Sequence, residues 1–467
     1  MTHYDLVIIG TGSGNTIVNR RFADWKVAIV ERGTFGGTCL NVGCIPTKMF
    51  VHAADVAATP SVSARYGVDE QLLDVRWTDV RDRIFGRIDP IAAGGSEYRH
   101  HNPDNANVHV YDGTGRFTGF KEMTVDGKDG STSVFSADRF VIASGSRPIV
   151  PPIPGLEETG FHTSNTIMRL EELPRRLAII GSGFVAAEFA HVFASFGVEV
   201  TIIARSSLLL RHEDGELAER YTEIAQDKYD VRLNHETVRV ARRDDGSILL
   251  GMLHPEGSDE LVVDELLVAV GREANSDLLN LDATGVGVDH EGRVVVDKYQ
   301  QTNVDGIYAL GDVTTPHQLK HVANHEARVV KHNLLNPDDR IEADHRFVPH
   351  AVFSAPQIAS VGLTEEQAQE RGIPYVKAVQ QYADIAYGWA MEDTTGFAKV
   401  LADPESGQIL GCHVIGPQAP TVIQPVIQAM SFGLDAYTMA RGQYWIHPAM
   451  PELIENALLK LKLDPKG

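Results

Sequence analysis

Short, nearly unbroken apolar runs alternate with glycine turns and polar, helix-patterned stretches along most of the chain. This is the texture of buried parallel strands joined by crossover helices. Asp5–Ile9 (DLVII) enters Gly10-Thr11-Gly12-Ser13-Gly14-Asn15, a polar helical stretch follows, and Lys26–Val30 (KVAIV) ends at Glu31. The order recurs: Leu177–Ile180 (LAII) enters Gly181-Ser182-Gly183-Phe184-Val185-Ala186, a helix runs through Phe196, and Glu199–Ile203 (EVTII) completes the unit. Strand, glycine turn, helix, strand is the dinucleotide-binding βαβ pattern in its required context; one copy is weak evidence, two complete copies are strong. The glycines allow a tight turn and let backbone N–H groups approach a pyrophosphate at a helix N-terminus. Glu31 is placed to accept from ribose hydroxyls, and Asn15 puts a side chain where a third glycine usually eases helix–strand packing.

Between the two units, Phe140–Pro148 (FVIASGSRP) reads as a strand ending in a glycine turn, and the proline-rich Pro148–Pro154 suits a crossover between domains. Leu266–Arg272 (LLVAVGR) and Gly306–Asp312 (GIYALGD) are further buried strands, so the first domain is expected to be discontinuous, with the second inserted into it. From about Phe347 the pattern changes to strands (Phe397–Val400, Ile409–Ile415) and amphipathic helices (Thr421–Phe432, Pro451–Leu461), an expected third, α+β domain.

The length of 467 residues fits that count of roughly three domains. A formal net charge of −21 argues against a nucleic-acid partner or an anionic membrane, because both need a basic face. No uncharged apolar run is long enough to span a bilayer. The opening MTHYDLVIIG has no basic, signal-like region, so a cytoplasmic protein is expected. Three cysteines are too few for a disulfide framework.

Two of them, Cys39 and Cys44, lie in GGTCLNVGCIPTK (Gly36–Lys48). On a helix such a spacing lets two sulfurs face each other with modest distortion, and helix N-terminal amides lower a thiolate pKa. Zinc would need further Cys or His ligands nearby, and the segment has none. Near the other end, WIHPAMPELIE places His447 five residues before Glu452, the pairing of a proton-transferring imidazole with an orienting carboxylate, or else a core histidine beside a helix cap. His317, His321 and His325 recur every four residues after Pro316, but lack an accompanying carboxylate set or cysteine; no metal is expected there. The second βαβ unit ends Ile203-Ala204-Arg205, with Arg211 six residues on, where a coenzyme lacking a 2′-phosphate would call for an acid. Two guanidiniums suit that phosphate; a solvated surface pair is the plainer alternative.

The cysteine segment, both glycine turns, ALGD and HPAMPE together resemble the pyridine nucleotide–disulfide oxidoreductases, the group of glutathione reductase, dihydrolipoamide dehydrogenase and mercuric reductase, over essentially the whole chain. Gly10–Asn15 (GTGSGN), Gly86–Ala92 (GRIDPIA), Tyr387–Asp393 (YGWAMED) and Ala440–Glu452 (ARGQYWIHPAMPE) resemble the subgroup that reduces mycothione, the disulfide of mycothiol. The resemblance implies an α/β fold of two Rossmann-like dinucleotide-binding domains, one inserted in the other, plus a C-terminal α+β dimerisation domain. It implies an FAD domain over 1–150 and 275–345, an NADPH domain over 151–274 and an interface domain over 346–467. FAD is expected on Gly10, Gly12, Gly14, Glu31, Thr38, Lys48, Gly113, Ser144, Gly145 and Asp312. NADPH is expected on Gly181, Gly183, Val185, Glu188, Arg205, Arg211 and Gly271, with Glu188 a partner for Lys48. Cys39 and Cys44 become the redox-active pair, and His447 with Glu452 serves the active site of the other subunit in a homodimer. An NAD-linked dihydrolipoamide dehydrogenase is the nearest rival, although Ala204 and Arg205 stand against NAD. A non-catalytic flavoprotein subunit is the other, although both cysteines and His447 are present.

Overall fold

The computed structural model describes residues 1–463, which fall into two compact units. The first comprises Met1–Met49, Thr78–Ile149 and Gly271–His345. The second comprises Phe50–Trp77, Val150–Val270 and the chain from Arg346 onward.

In the first unit, Thr2–Ile9 pairs in parallel with Val27–Glu31 on one side and with Thr132–Ile142 on the other. Val108–Gly119 extends the sheet beyond Val27–Glu31, and Ile307–Ala309 adds in parallel to Thr132–Ile142. Leu6–Ile9, Val27–Val30 and Ile307–Ala309 are apolar without alternation because both faces are covered: Val7 and Ile9 face one cluster with Phe117, Phe135 and Phe140, while Leu6 and Ile8 face another with Phe22, Val330 and Leu334. The expected helix after the first glycine turn does not form. Two 3-10 turns, Gly14–Thr16 and Arg20–Phe22, replace it. The buried Arg99 guanidinium donates to Asn15 Oδ1 and to the Asn15 and Val18 carbonyls, and β-branched Thr16, Ile17 and Val18 are poor helix formers. Asn15 therefore has its own work to do, as the acceptor that seats Arg99.

In the second unit, Glu265–Val268, Arg176–Ile180, Glu199–Ile203 and Asp230–Arg232 form a parallel sheet in that order, with the crossover helix Phe184–Ser195 in the predicted place. Glu236–Arg242, Ile248–His254 and Gly257–Val263 make an antiparallel three-stranded sheet, which the sequence pattern did not reveal. The C-terminal part is a five-stranded antiparallel sheet containing Phe397–Ala402 and Ile409–Ile415, packed by Gln424–Phe432 and Glu452–Leu459. It shares a unit with the parallel sheet, to which it is tied by charge. Fully buried Lys399 reaches Asp214 and Glu216 (both 2.9 Å) and Glu365 (2.5 Å), joining a helix start of the nucleotide-type fold to the C-terminal sheet. No helix among the described residues is long and apolar enough to cross a membrane.

Candidate active site

The two sulfurs belong to different helices. Cys39 lies in the one-turn helix Gly37–Asn41, and Cys44 is the first residue of Cys44–Ala58, so the expected single helix is broken at Val42 and Gly43. A Cβ on Gly43 would lie 3.0 Å from the Thr38 carbonyl oxygen, a tight contact that glycine avoids at this turn. Cys39 donates its S–H to Cys44, which pushes the Cys39 pKa up and brings Cys44 down to about 7. Burial opposes ionisation of Cys44; Lys48, its own helix-start N–H and Lys320 favour it. Cys44 is also the more exposed of the pair. A thiol–thiolate pair with assigned partners is thus built into the helix junction. The third cysteine, Cys412, is buried, with its pKa pushed up to about 12 by desolvation.

The first glycine turn packs against this junction. A Cβ on Gly37 would come within 2.7 Å of Gly12 Cα, and Gly36 N–H donates to Thr11 Oγ1 (3.2 Å). Gly10 has φ +101° and passes Ala143 so closely that a Cβ would lie 2.4 Å from its carbonyl oxygen. Glu31 accepts from Thr11 N–H (2.8 Å) and Oγ1 (2.6 Å) through one oxygen and from Gly33 N–H (2.6 Å) through the other. Both lone pairs of the first oxygen are used, and the second keeps one for a ribose hydroxyl. Two observations fit a bound dinucleotide here: the Ser144 hydroxyl is buried with no partner, and a Cβ on Gly145 would meet open space. Asp312 accepts from Ser146 Oγ (2.7 Å), which accepts from Arg272 Nε (2.8 Å). Gly113, by contrast, is explained by strand pairing alone, since a Cβ there would lie 2.3 Å from Asp126 O.

Lys320, Ser146 and Arg272 were not picked out from the sequence. Lys320 begins the helix Lys320–Leu335, bonds Ser13 Oγ (2.9 Å) and lowers both cysteines. It stands between His317 and His321 in the sequence. His317 precedes that helix and His325 Nε2 accepts from Asp344 N–H (3.1 Å), so the three histidines do not form one face of donors.

In the second unit, Gly183 caps the helix Phe184–Ser195 with extended backbone, leaving the first N–H groups directed at the turn. Gly181 (φ +142°) would place a Cβ 2.2 Å from Ala269 O. Val185 lies in the first turn of this helix, and Glu188 is buried, accepting from Phe353 N–H (3.0 Å). Leu210 N–H donates to Ser182 O (2.7 Å), which pins the loop between Arg205 and Arg211 to the glycine turn. Both arginines are exposed, and among the described residues neither guanidinium has a carboxylate partner. Unpaired cations beside a helix N-terminus suit an anionic ligand. Gly271 (φ +136°) accepts through its carbonyl from Ile149 N–H (3.0 Å), in the first unit.

His447 Nδ1 and Glu452 Oε1 lie 2.5 Å apart, with the imidazole side chain 71% exposed and the carboxylate 14%. Glu452 Oε2 also accepts from Ala449 N–H (3.2 Å), so the acid is fixed and the ring projects into solvent. The alternative of a core histidine is therefore excluded. Nearby Tyr437, Tyr444 and Ile446 are strongly exposed, at 58%, 104% and 77%. Such a group of apolar side chains marks an interaction face.

Comparison with known proteins agrees with this architecture. The pyridine nucleotide-disulphide oxidoreductase family matches residues 4–327, and the dimerisation domain of the same family matches 348–458. Mycothione reductase of Mycobacterium tuberculosis is 52% identical over 470 residues, covering 99% of this chain and all of that one. Dihydrolipoyl dehydrogenase of Corynebacterium glutamicum is 34% identical, with 97% of each chain covered. The solved HOCl-induced flavoprotein disulfide reductase RclA from Escherichia coli superposes with a TM-score of 0.85 at 30% identity, covering 98% of this chain and all of that one. With its paired thiols, two glycine turns and C-terminal His–Glu pair in place, the chain belongs to the pyridine nucleotide–disulphide oxidoreductases.

Proposed function

We propose that the protein is an FAD-dependent reductase that uses NADPH to convert mycothione to mycothiol through Cys39 and Cys44. In this proposal FAD occupies the domain of 1–150 and 275–345, NADPH that of 151–274, and 346–467 forms the homodimer interface. The observation that carries it is the junction of two helices that brings Cys39 and Cys44 together, with Cys44 at a helix start, Lys48 one turn on and the first glycine turn packed against it. The 52% identity to a mycothione reductase supports the choice of substrate.

A flavin, when bound, supplies the two-electron relay between nicotinamide and the cysteine disulfide. Cys44, poised as a thiolate, would be the sulfur next to the flavin. Cys39 is the interchange thiol. It gives its proton to His447 and, as the thiolate, attacks one sulfur of the substrate disulfide, forming a mixed disulfide and releasing the first thiolate. Cys44 then attacks Cys39, releasing the second thiol and restoring the Cys39–Cys44 bond. One NADPH and one proton thus yield NADP⁺ and two thiols per disulfide. His447, oriented by Glu452, gives the departing thiolate its proton in the partner subunit's site. Arg205 and Arg211 bind the 2′-phosphate of NADPH.

The test is steady-state NADPH oxidation by the purified protein with mycothione, glutathione disulfide and lipoamide. Mycothione should give the highest kcat/KM by at least an order of magnitude. Equal or better turnover of lipoamide would assign the chain to the other branch of its family.

A further inference from the structure

His235, His254 and Asp259, none of them assigned a part in the redox chemistry, come together on the antiparallel sheet of the second unit. His254 ends the strand Ile248–His254, Asp259 lies on the neighbouring strand opposite Met252, and His235 immediately precedes Glu236, which pairs with Leu253. With a side-chain period of two, that register puts all three on one face. The imidazoles stack with centroids 4.7 Å apart and planes 21° apart. Asp259 meets both rings, Oδ2 lying 3.3 Å from His235 Nε2 and Oδ1 lying 3.6 Å from His254 Nε2.

The hydrogen bonding makes this more than a surface contact. His235 Nδ1 lies 2.7 Å from the Leu233 carbonyl, which can only accept, so Nδ1 carries a proton. In the neutral ring the Nε2 lone pair then faces a carboxylate oxygen, an arrangement of two acceptors that needs a cation or a second proton between them. A ring N–H held by a backbone carbonyl is the usual support of a ligating imidazole. The three donor atoms all lie within 4.8 Å of one another. Donors about 2.0–2.2 Å from a tetrahedral ion stand about 3.3–3.6 Å apart, and the 3.3 Å between His235 Nε2 and Asp259 Oδ2 matches that. Ligation by His254 Nε2 gives up only the long 3.4 Å contact from Glu256 N–H to its Nδ1.

We propose that His235 Nε2, His254 Nε2 and an Asp259 oxygen form a binding site for one borderline divalent transition ion of the Zn²⁺, Ni²⁺ or Cu²⁺ class. Two imidazoles and a carboxylate favour these ions over Mg²⁺ or Ca²⁺, which prefer all-oxygen shells. Three protein ligands leave a coordination position for water. The site opens beside a cavity of about 290 Å³ lined by Arg205, Asn234, Glu236, Leu253, His254 and Pro255. His235 N–H donates to Ala204 O (2.9 Å), so one ligand is fastened to the strand end that carries Arg205.

The test uses the tag-free, full-length holoenzyme with its active-site cysteines oxidised, so that they offer no thiolate. Zn²⁺ titrated by calorimetry at neutral pH should bind at one site per chain with proton release, and His254→Ala should weaken it at least ~100-fold. Asp259→Asn should weaken it ~10-fold or more. Cu²⁺ bound to the unmodified protein should show coupling to two nitrogens in its electron paramagnetic resonance spectrum. Far-ultraviolet circular dichroism and the melting temperature of the metal-free variants, unchanged from the parent, show that they are folded. Equal Zn²⁺ affinity in parent and variants, or absence of binding to the parent, would overturn the site.

Discussion

Replacing Cys39 by alanine separates the hydrogen bond that sets the Cys44 thiolate from every other influence on it. The S–H of Cys39 is the largest influence lowering the Cys44 pKa to about 7. Serine keeps an O–H donor at that position and alanine does not. A hydrogen bond to a charged acceptor contributes about 1.5–3 kcal/mol, and about 1.4 kcal/mol corresponds to one pH unit. Because Cys44 is exposed, the lower part of that range applies. Cys39→Ala should therefore raise the Cys44 midpoint by about one pH unit relative to Cys39→Ser. An ordinary thiol near 9 is only about 1% ionised at pH 7, against roughly half for a midpoint of about 7. Alkylation of Cys44 by iodoacetamide as a function of pH reads this directly. Neither variant can form the disulfide, and buried Cys412 contributes little signal. In both variants reactivity rises with pH through the midpoint, since the thiolate is the nucleophile. Identical midpoints in the serine and alanine variants would refute the assignment of Cys39 as proton donor, and a midpoint near 9 in both would refute the charged junction altogether.

Lys320→Met should move the same midpoint upward by less than Cys39→Ala, because its influence acts through space and is the smallest of those favouring the thiolate; the same alkylation assay checks it. Arg205→Ala with Arg211→Ala should reduce kcat/KM for NADPH by roughly two to four decades while leaving NADH nearly unchanged, since each charge-assisted bond to the phosphate contributes ~1.5–3 kcal/mol. Equal losses for both coenzymes would show that the arginines read something else. His447→Ala should slow reduction of the substrate disulfide by ~10²–10⁴-fold and leave NADPH-to-flavin electron transfer intact in stopped-flow absorbance. Mixed dimers of His447→Ala and Cys39→Ser subunits should recover part of the activity. Lys399→Met should destabilise the second unit by ~3–5 kcal/mol in denaturant unfolding, because Asp214 is left charged and fully buried. Glu365, held at about 2 by Lys377, Lys399 and Tyr375 against an ordinary 4.5, contributes stability that is complete above pH 4.5 and lost as pH falls towards 2.

What could be read from the sequence follows a physical division. Features written in contiguous residues were legible: both glycine turns, the cysteine segment and the His447–Glu452 spacing all lie where their patterns indicated. Features that arise from distant residues meeting were not. The first βαβ unit lacks its helix because Arg99, 84 residues away, takes the carboxamide oxygen and carbonyl of Asn15, and nothing near Asn15 announces that partner. Lys320 reaches Ser13 across 307 residues of chain, and Arg272 reaches Ser146 across 126. The break between the cysteine helices was local yet missed, because spacing alone does not distinguish one helix from two; Gly43 was the available signal. The same rule separates the two metal questions. His317, His321 and His325 are periodic in sequence, yet His317 precedes the helix that carries the other two and His325 Nε2 accepts from Asp344 N–H. His235, His254 and Asp259 have no sequence period, and strand register alone brings their donor atoms within reach of one ion.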